Sequence, residues 1–155
     1  MLSIVALAFA ALYGTAQSYL TDAVNVSGAQ GGATLAMEHL TRSLRNATAV
    51  AFDATQRRLS ITYRPNPDAP SQTRVMRYEQ VSAQLRWTPD QANTSDVTTL
   101  TDKLAPAPQG FGVTDQDGNP VTASTSAVRV TLNTVVGGRT ARLASTVHLR
   151  GFGQN

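Results

Sequence analysis

Met1 to Thr21 contains no charged residue, and the run Met1–Tyr13 (MLSIVALAFAALY) is almost wholly apolar. No other feature narrows the fold as much. As a helix rising ~1.5 Å per residue, Met1–Leu20 spans ~30 Å, the thickness of a bilayer's hydrocarbon core. Ile4, Val5, Leu7, Phe9 and Leu12 distribute around such a helix rather than along one side, and a helix without a polar face needs lipid or other helices around it. Ala6, Ala10, Gly14 and Ser18 recur every fourth residue, a stripe of small residues that lets helices approach closely. Tyr13 and Tyr19 sit where interfacial aromatics are useful. A cleaved secretory signal needs a basic start, yet the first Lys or Arg is Arg42. A buried core helix of this length needs more partner structure than 155 residues supply. The segment therefore reads as a membrane or helix-bundle anchor.

Composition constrains the remainder of the chain. The hydrophobic share is 41%, but 22 residues are alanine, so the remaining core is thin and sheet-like. There is no cysteine, which removes disulfides, thiolate metal sites and cysteine nucleophiles together. The charge of +3 rests on 13 Lys+Arg against 10 acids, and the last acid is Asp117. Arg129, Arg139, Arg142 and Arg150 come after it, a candidate basic patch for DNA or another anionic surface. No aromatic residue interleaves with these arginines as a stacking platform would require.

The spacing divides the chain at residue 33. Gly28, Gly31 and Gly32 lower helix propensity, so residues 1–33 read as an assembly helix ending in a glycine-rich joint, either a softened helix or a melted one. From Thr34 the pattern tightens. Met37, Leu40, Leu44, Ala47 and Ala51 fall at three- and four-residue steps, which predicts an amphipathic helix over 34–51 laid on a sheet, with Glu38 and Arg42 as an i,i+4 pair on its other side.

After Asp53 the chain alternates. Arg58–Arg64, Thr73–Glu79 and Ser82–Thr88 read as strands, with a link around Gln80. Pro65, Pro67 and Pro70 argue against pairing of the first two in mid-sheet. Gly110–Thr114 is a short strand before the turn Asp115–Pro120. The last hairpin is the clearest: Ala127–Val135 and Arg139–Leu149 alternate cleanly about Gly137-Gly138. Residues 34–155 thus form an antiparallel sheet headgroup, and the chain is α+β.

Nothing in this pattern supplies an active site. Asp115, Asp117 and Asn119 lack the glycine and glutamate positions of a calcium loop, and read as a turn. His39 and His148 have no acidic neighbour arranged for metal or base chemistry and read as surface histidines. No nucleophile elbow and no phosphate loop is present, so neither a catalytic role nor a cofactor is expected.

The order of parts, with the run Glu38–Ala47, resembles the minor type IV pilins and the J-type minor pseudopilins of type II secretion. Members carry a segment of the type Arg…Leu-Arg-Asn-Ala, matched by Arg42, Leu44, Arg45, Asn46 and Ala47. Val147-His148-Leu149-Arg150-Gly151 approximates their closing strand. The resemblance spans the chain on short motifs. It implies a pilin-like fold and a noncatalytic subunit, held in the inner membrane with a periplasmic headgroup and then packed into a filament or its tip with other pilin or pseudopilin subunits. Prepilins open with a basic leader and place a Glu early in the mature helix, whereas the first Glu here is Glu38. The expectation is that the sequence starts inside that helix, with a prepilin peptidase as a partner if the true start precedes Met1. The alternative expectation is an anchored module that contacts DNA or a surface through its basic C-terminal strands.

Overall fold

The computed structural model describes residues 2–66, 72–122 and 124–149, with side chains of the opening helix described at Tyr13 and from Thr15 onward. Among the described residues there is one helix, α1 (Leu2–Arg45), which runs for 44 residues, ~66 Å, with no break. The glycine-rich joint is therefore continuous helix. An added Cβ at Gly28 or Gly31 meets nothing within 4 Å, while one at Gly32 sits 3.4 Å from the Thr101 hydroxyl, where the helix passes close to the sheet.

The expected helix over 34–51 ends six residues early. Ala47–Asp53 is strand β1, and Ala47 is buried from that strand rather than from the helix. The cause is a register shift between Ala47 and Ala49. An inserted residue turns both Ala47 and Val50 inward, so a bulged strand imitates the three-residue spacing of a helix face. Met37, Leu40 and Leu44 lie on the helix and are buried as the spacing requires.

Two antiparallel sheets complete the fold. The first takes β1, β2 (Arg58–Tyr63), β3 (Arg74–Val81), β4 (Gln84–Thr88) and β5 (Thr98–Thr101) in sequential order. The second takes β6 (Phe111–Asp115), β7 (Ala127–Val136) and β8 (Arg139–His148). β2 and β3 are direct partners along their length, from Arg58 opposite Glu79 to Tyr63 opposite Arg74, against the expectation from the prolines. Pro65 lies beyond the end of β2, outside the ladder, so it removes no strand bond. The β3–β4 link also lies later than expected. Ser82, at φ 54°, and Ala83 make the turn, and Gln80 is buried inside β3. The β7–β8 hairpin forms as read, with Gly137 and Gly138 both at positive φ.

The sheets join at a seam around Lys103–Ala105. Val135 N donates to Lys103 O and Ala105 N to Asn133 O, extending β7 beyond its pairing with β6. Gln80 locks the junction: its amide donates to Ala105 O and Ser82 O, and its carbonyl accepts Phe111 N. One apolar core runs across both sheets under the helix, from Leu40, Leu44, Leu59, Ile61, Tyr78 and Leu85 to Phe111, Val128, Val130 and Leu132.

Among the described residues no helix is long and apolar enough to cross a membrane. The side chains of Ile4, Val5, Ala6, Leu7, Phe9, Ala10, Leu12 and Gly14 lie outside the described residues, as does Arg150.

Candidate assembly interface

The helix carries two opposed stripes. Ala29, Ala33, Ala36, Met37, Leu40 and Leu44 are buried against the sheets. Tyr13, Leu20, Val24 and Leu35 remain between 67% and 70% exposed. These four are spaced by seven, four and eleven residues, each close to a whole number of 3.6-residue turns, so they share one side. Leu20, Val24 and Leu35 each precede a buried residue (Ala29, Ala33, Leu44) by nine residues, two and a half turns, which puts the two stripes on opposite sides. From Thr15 to Asn25 every residue is exposed, so this stretch of α1 is largely uncovered by the sheets.

Where the helix meets the body, its sheet-facing residues Tyr19, Asp22 and Val26 overhang the β7–β8 tip and enclose a groove of about 390 Å³ against Val136, Gly137 and Arg139. Arg139 thus lies on the helix side of the second sheet. Arg129 and Arg142 lie on its far side, because Arg129 faces Thr146 and Asn133 faces Arg142 in register. Four residues along the strand separate those rows, ~13 Å. The expected patch of Arg129, Arg139 and Arg142 is therefore split between two faces, since side chains alternate along a strand.

A polar clamp sets the helix on the first sheet. Tyr78 is wholly buried, and its hydroxyl lies 2.7 Å from Ser43 Oγ and 2.8 Å from His39 Nδ1. The His39 ring also packs edge-on against Trp87, with centroids 4.5 Å apart. His39 is thus part-buried in the helix–sheet junction and not the free surface histidine that sequence suggested. Burial, with the Arg42 guanidinium adding to it, holds the His39 imidazole below its ordinary value. Burial pushes the Tyr78 phenol up, against a smaller opposite pull from the Ser43 hydrogen bond. The Tyr78 hydroxyl can donate one hydrogen bond and accept another, so it serves both Ser43 and a neutral His39, the direction of each bond following the His39 tautomer. The clamp is a positioning device: its members spend their hydrogen bonds on one another. Glu38 and Arg42 form the exposed i,i+4 pair that the spacing predicts, at 3.4 Å.

The Asp115 carboxylate accepts Asp117 N at 2.9 Å and Asn119 N at 2.7 Å. Desolvation works against its charge, but these donors, with the Asn119 side chain and Gly118 N, outweigh it and hold the acid below its ordinary value. Such a carboxylate caps its own turn. Among the described residues no group of three or more His, Cys, Asp or Glu side chains is placed to hold a metal ion.

Sequence reading missed a second basic surface. Arg58, Arg77 and Arg86 lie on the face of the first sheet turned away from the helix, brought together by the pairing of β2, β3 and β4. The alternation within each strand places these arginines off the apolar phase, but their alignment depends on a register that sequence did not supply.

Compared with protein-family models, with curated proteins and with solved structures, the chain matches none.

Proposed function

We propose that the chain is a noncatalytic filament subunit of the minor pilin or pseudopilin kind, with a pilin-like fold. Its headgroup is the pair of sheets, and its helix is the assembly element. The observation that carries this reading is the exposed side of α1, with Tyr13, Leu20, Val24 and Leu35 turned away from its buried stripe. Burying a large apolar side chain is worth about 1.5–3 kcal/mol, and the chain's own sheets leave this stripe bare. Neighbouring helices in a filament core supply the missing cover. Before assembly, the apolar run Met1–Tyr13 holds the subunit in the inner membrane with the headgroup in the periplasm. Other pilin or pseudopilin subunits are the partners.

Size-exclusion chromatography without detergent tests the reading on two chains, the full sequence and one that begins at Gly28. The shorter chain keeps every buried helix residue from Ala29 onward, and is expected to run as a folded monomer. The full chain is expected to associate or to require detergent. A compact full-length monomer in plain buffer would sink the proposal.

A further inference from the structure

Among the described residues, the outer face of the first sheet carries three arginines with too few carboxylates to answer them. Glu79, in the middle of β3, stands opposite Arg58 on one side and Arg86 on the other. It pairs with Arg58 at 2.9 Å. Arg86 turns its Nε and Nη2 to the neutral Gln84 carbonyl, at 3.0 and 2.8 Å. Arg77, one row along between Ser60 and Thr88, has a buried Nε with no partner, as does Arg58. Asp53 ends the row beside Arg58, but its Oδ1 accepts Thr55 N and Gln56 N within its own turn.

A half-buried guanidinium without an acceptor is costly, and it gains most from a carboxylate delivered in fork geometry. The buried Nε atoms show that Arg58 and Arg77 are rooted in the sheet, so less side-chain freedom is lost when they bind. Arg77 lies diagonal to both Arg58 and Arg86 across neighbouring strands, a separation of ~7–8 Å. Alternate residues of an extended peptide lie ~6.6–6.8 Å apart, so carboxylates at every second position match that pitch. The composition of the face selects protein over nucleic acid. Val75 and Val81 flank the arginines in β3, no aromatic ring stands between them for base stacking, and the central Glu79 repels a phosphate backbone. We propose that this face is a docking surface for an extended acidic segment of a partner protein, with Arg77 and Arg86 as its principal contacts. The inference goes beyond the filament reading and is independent of it, because the surface lies on β2–β4 and not on the helix.

The test uses the full chain in nonionic detergent and fluorescence anisotropy with two labelled probes, a short peptide alternating Glu and Ser and a short DNA duplex. The peptide is expected to bind, and to weaken as salt rises. Arg77→Gln with Arg86→Gln should weaken it about tenfold or more while the thermal midpoint stays put. Arg77→Lys, which keeps the charge but loses the fork, should fall between and serves as a second variant if the double change perturbs folding. Arg129→Gln and Arg142→Gln, on the other sheet, should change nothing. Preference for the duplex, no peptide binding, or binding indifferent to Arg77 and Arg86 would each overturn the proposal.

Discussion

At the scale of single residues, the seat of the helix depends on one hydroxyl. Tyr78 joins Ser43 and His39, two residues on adjacent turns of α1, to the middle of the sheet. Tyr78→Phe keeps the ring and its packing but leaves two part-buried polar groups facing carbon. That change should cost about 1–3 kcal/mol in urea unfolding, more than an isolated surface hydrogen bond is worth. The same cluster gives stability a pH dependence whose sign is set by His39. Its imidazole is held below the ordinary value of 6.5, so the unfolded chain takes up the proton before the folded one does. The contribution of His39 is therefore whole above about pH 6.5 and is lost as pH falls from there through the folded value. Urea midpoints measured between about pH 8 and pH 5 should decline on the acid side, and His39→Gln should flatten that part of the decline. An equal decline in the variant would assign the effect to other groups. None of this was legible in sequence, because His39 and Tyr78 are brought together only by tertiary packing.

At the scale of elements, the weak point is the seam between the sheets. An added Cβ at Gly110 would lie 2.2 Å from the backbone oxygen of Ala105 and 2.5 Å from Gln80 Nε2, so the seam must open to admit it. Gly110→Ala should cost about 3 kcal/mol or more, as overpacking against backbone does. Gly112→Ala, two residues on in β6, meets nothing within 4 Å and should be neutral or slightly stabilising in the same denaturation experiment. The contrast between the two isolates steric closure from strand propensity. Elements with local signals were readable from the chain alone: the β7–β8 hairpin announces itself by Gly137-Gly138 between alternating runs. Elements shaped by long-range pairing were not. The bulge at Ala47–Ala49 gave β1 a helical spacing, and no turn chemistry fixed the register across the proline-containing connection from β2 to β3. The arginine face depends on that register, so it stayed hidden along with it. Of the expected C-terminal arginines, Arg129 and Arg142 share the outer face of the second sheet as the alternation of the hairpin requires, and Arg139, opposite Val136, lies on the other face.

At the scale of the whole molecule, folding and association depend on different parts of α1. The core begins at Ala29, and every large apolar residue that the sheets bury lies after it. Leu20 and Val24 lie before it on the uncovered side, and they touch none of that core. Replacing both by Glu should therefore leave the unfolding midpoint almost unchanged, within the about 0.5 kcal/mol typical of exposed sites. The effect on association should be large. Two carboxylates set one turn apart on an apolar stripe would have to be desolvated between packed helices, where a buried unpaired charge costs several kcal/mol. Analytical ultracentrifugation of the full chain carrying Leu20→Glu and Val24→Glu should thus show smaller species than the parent at equal concentration, with matching circular dichroism. The same pair of changes at Ser18 and Asn25, exposed polar positions of the same helical segment that lie off the apolar stripe, adds equal charge and controls for simple repulsion. If Leu20→Glu with Val24→Glu disperses the assembly no more than that control does, net charge is responsible and the apolar stripe is not the contact. If it alone disperses the assembly, the uncovered side of the helix is where one subunit meets the next.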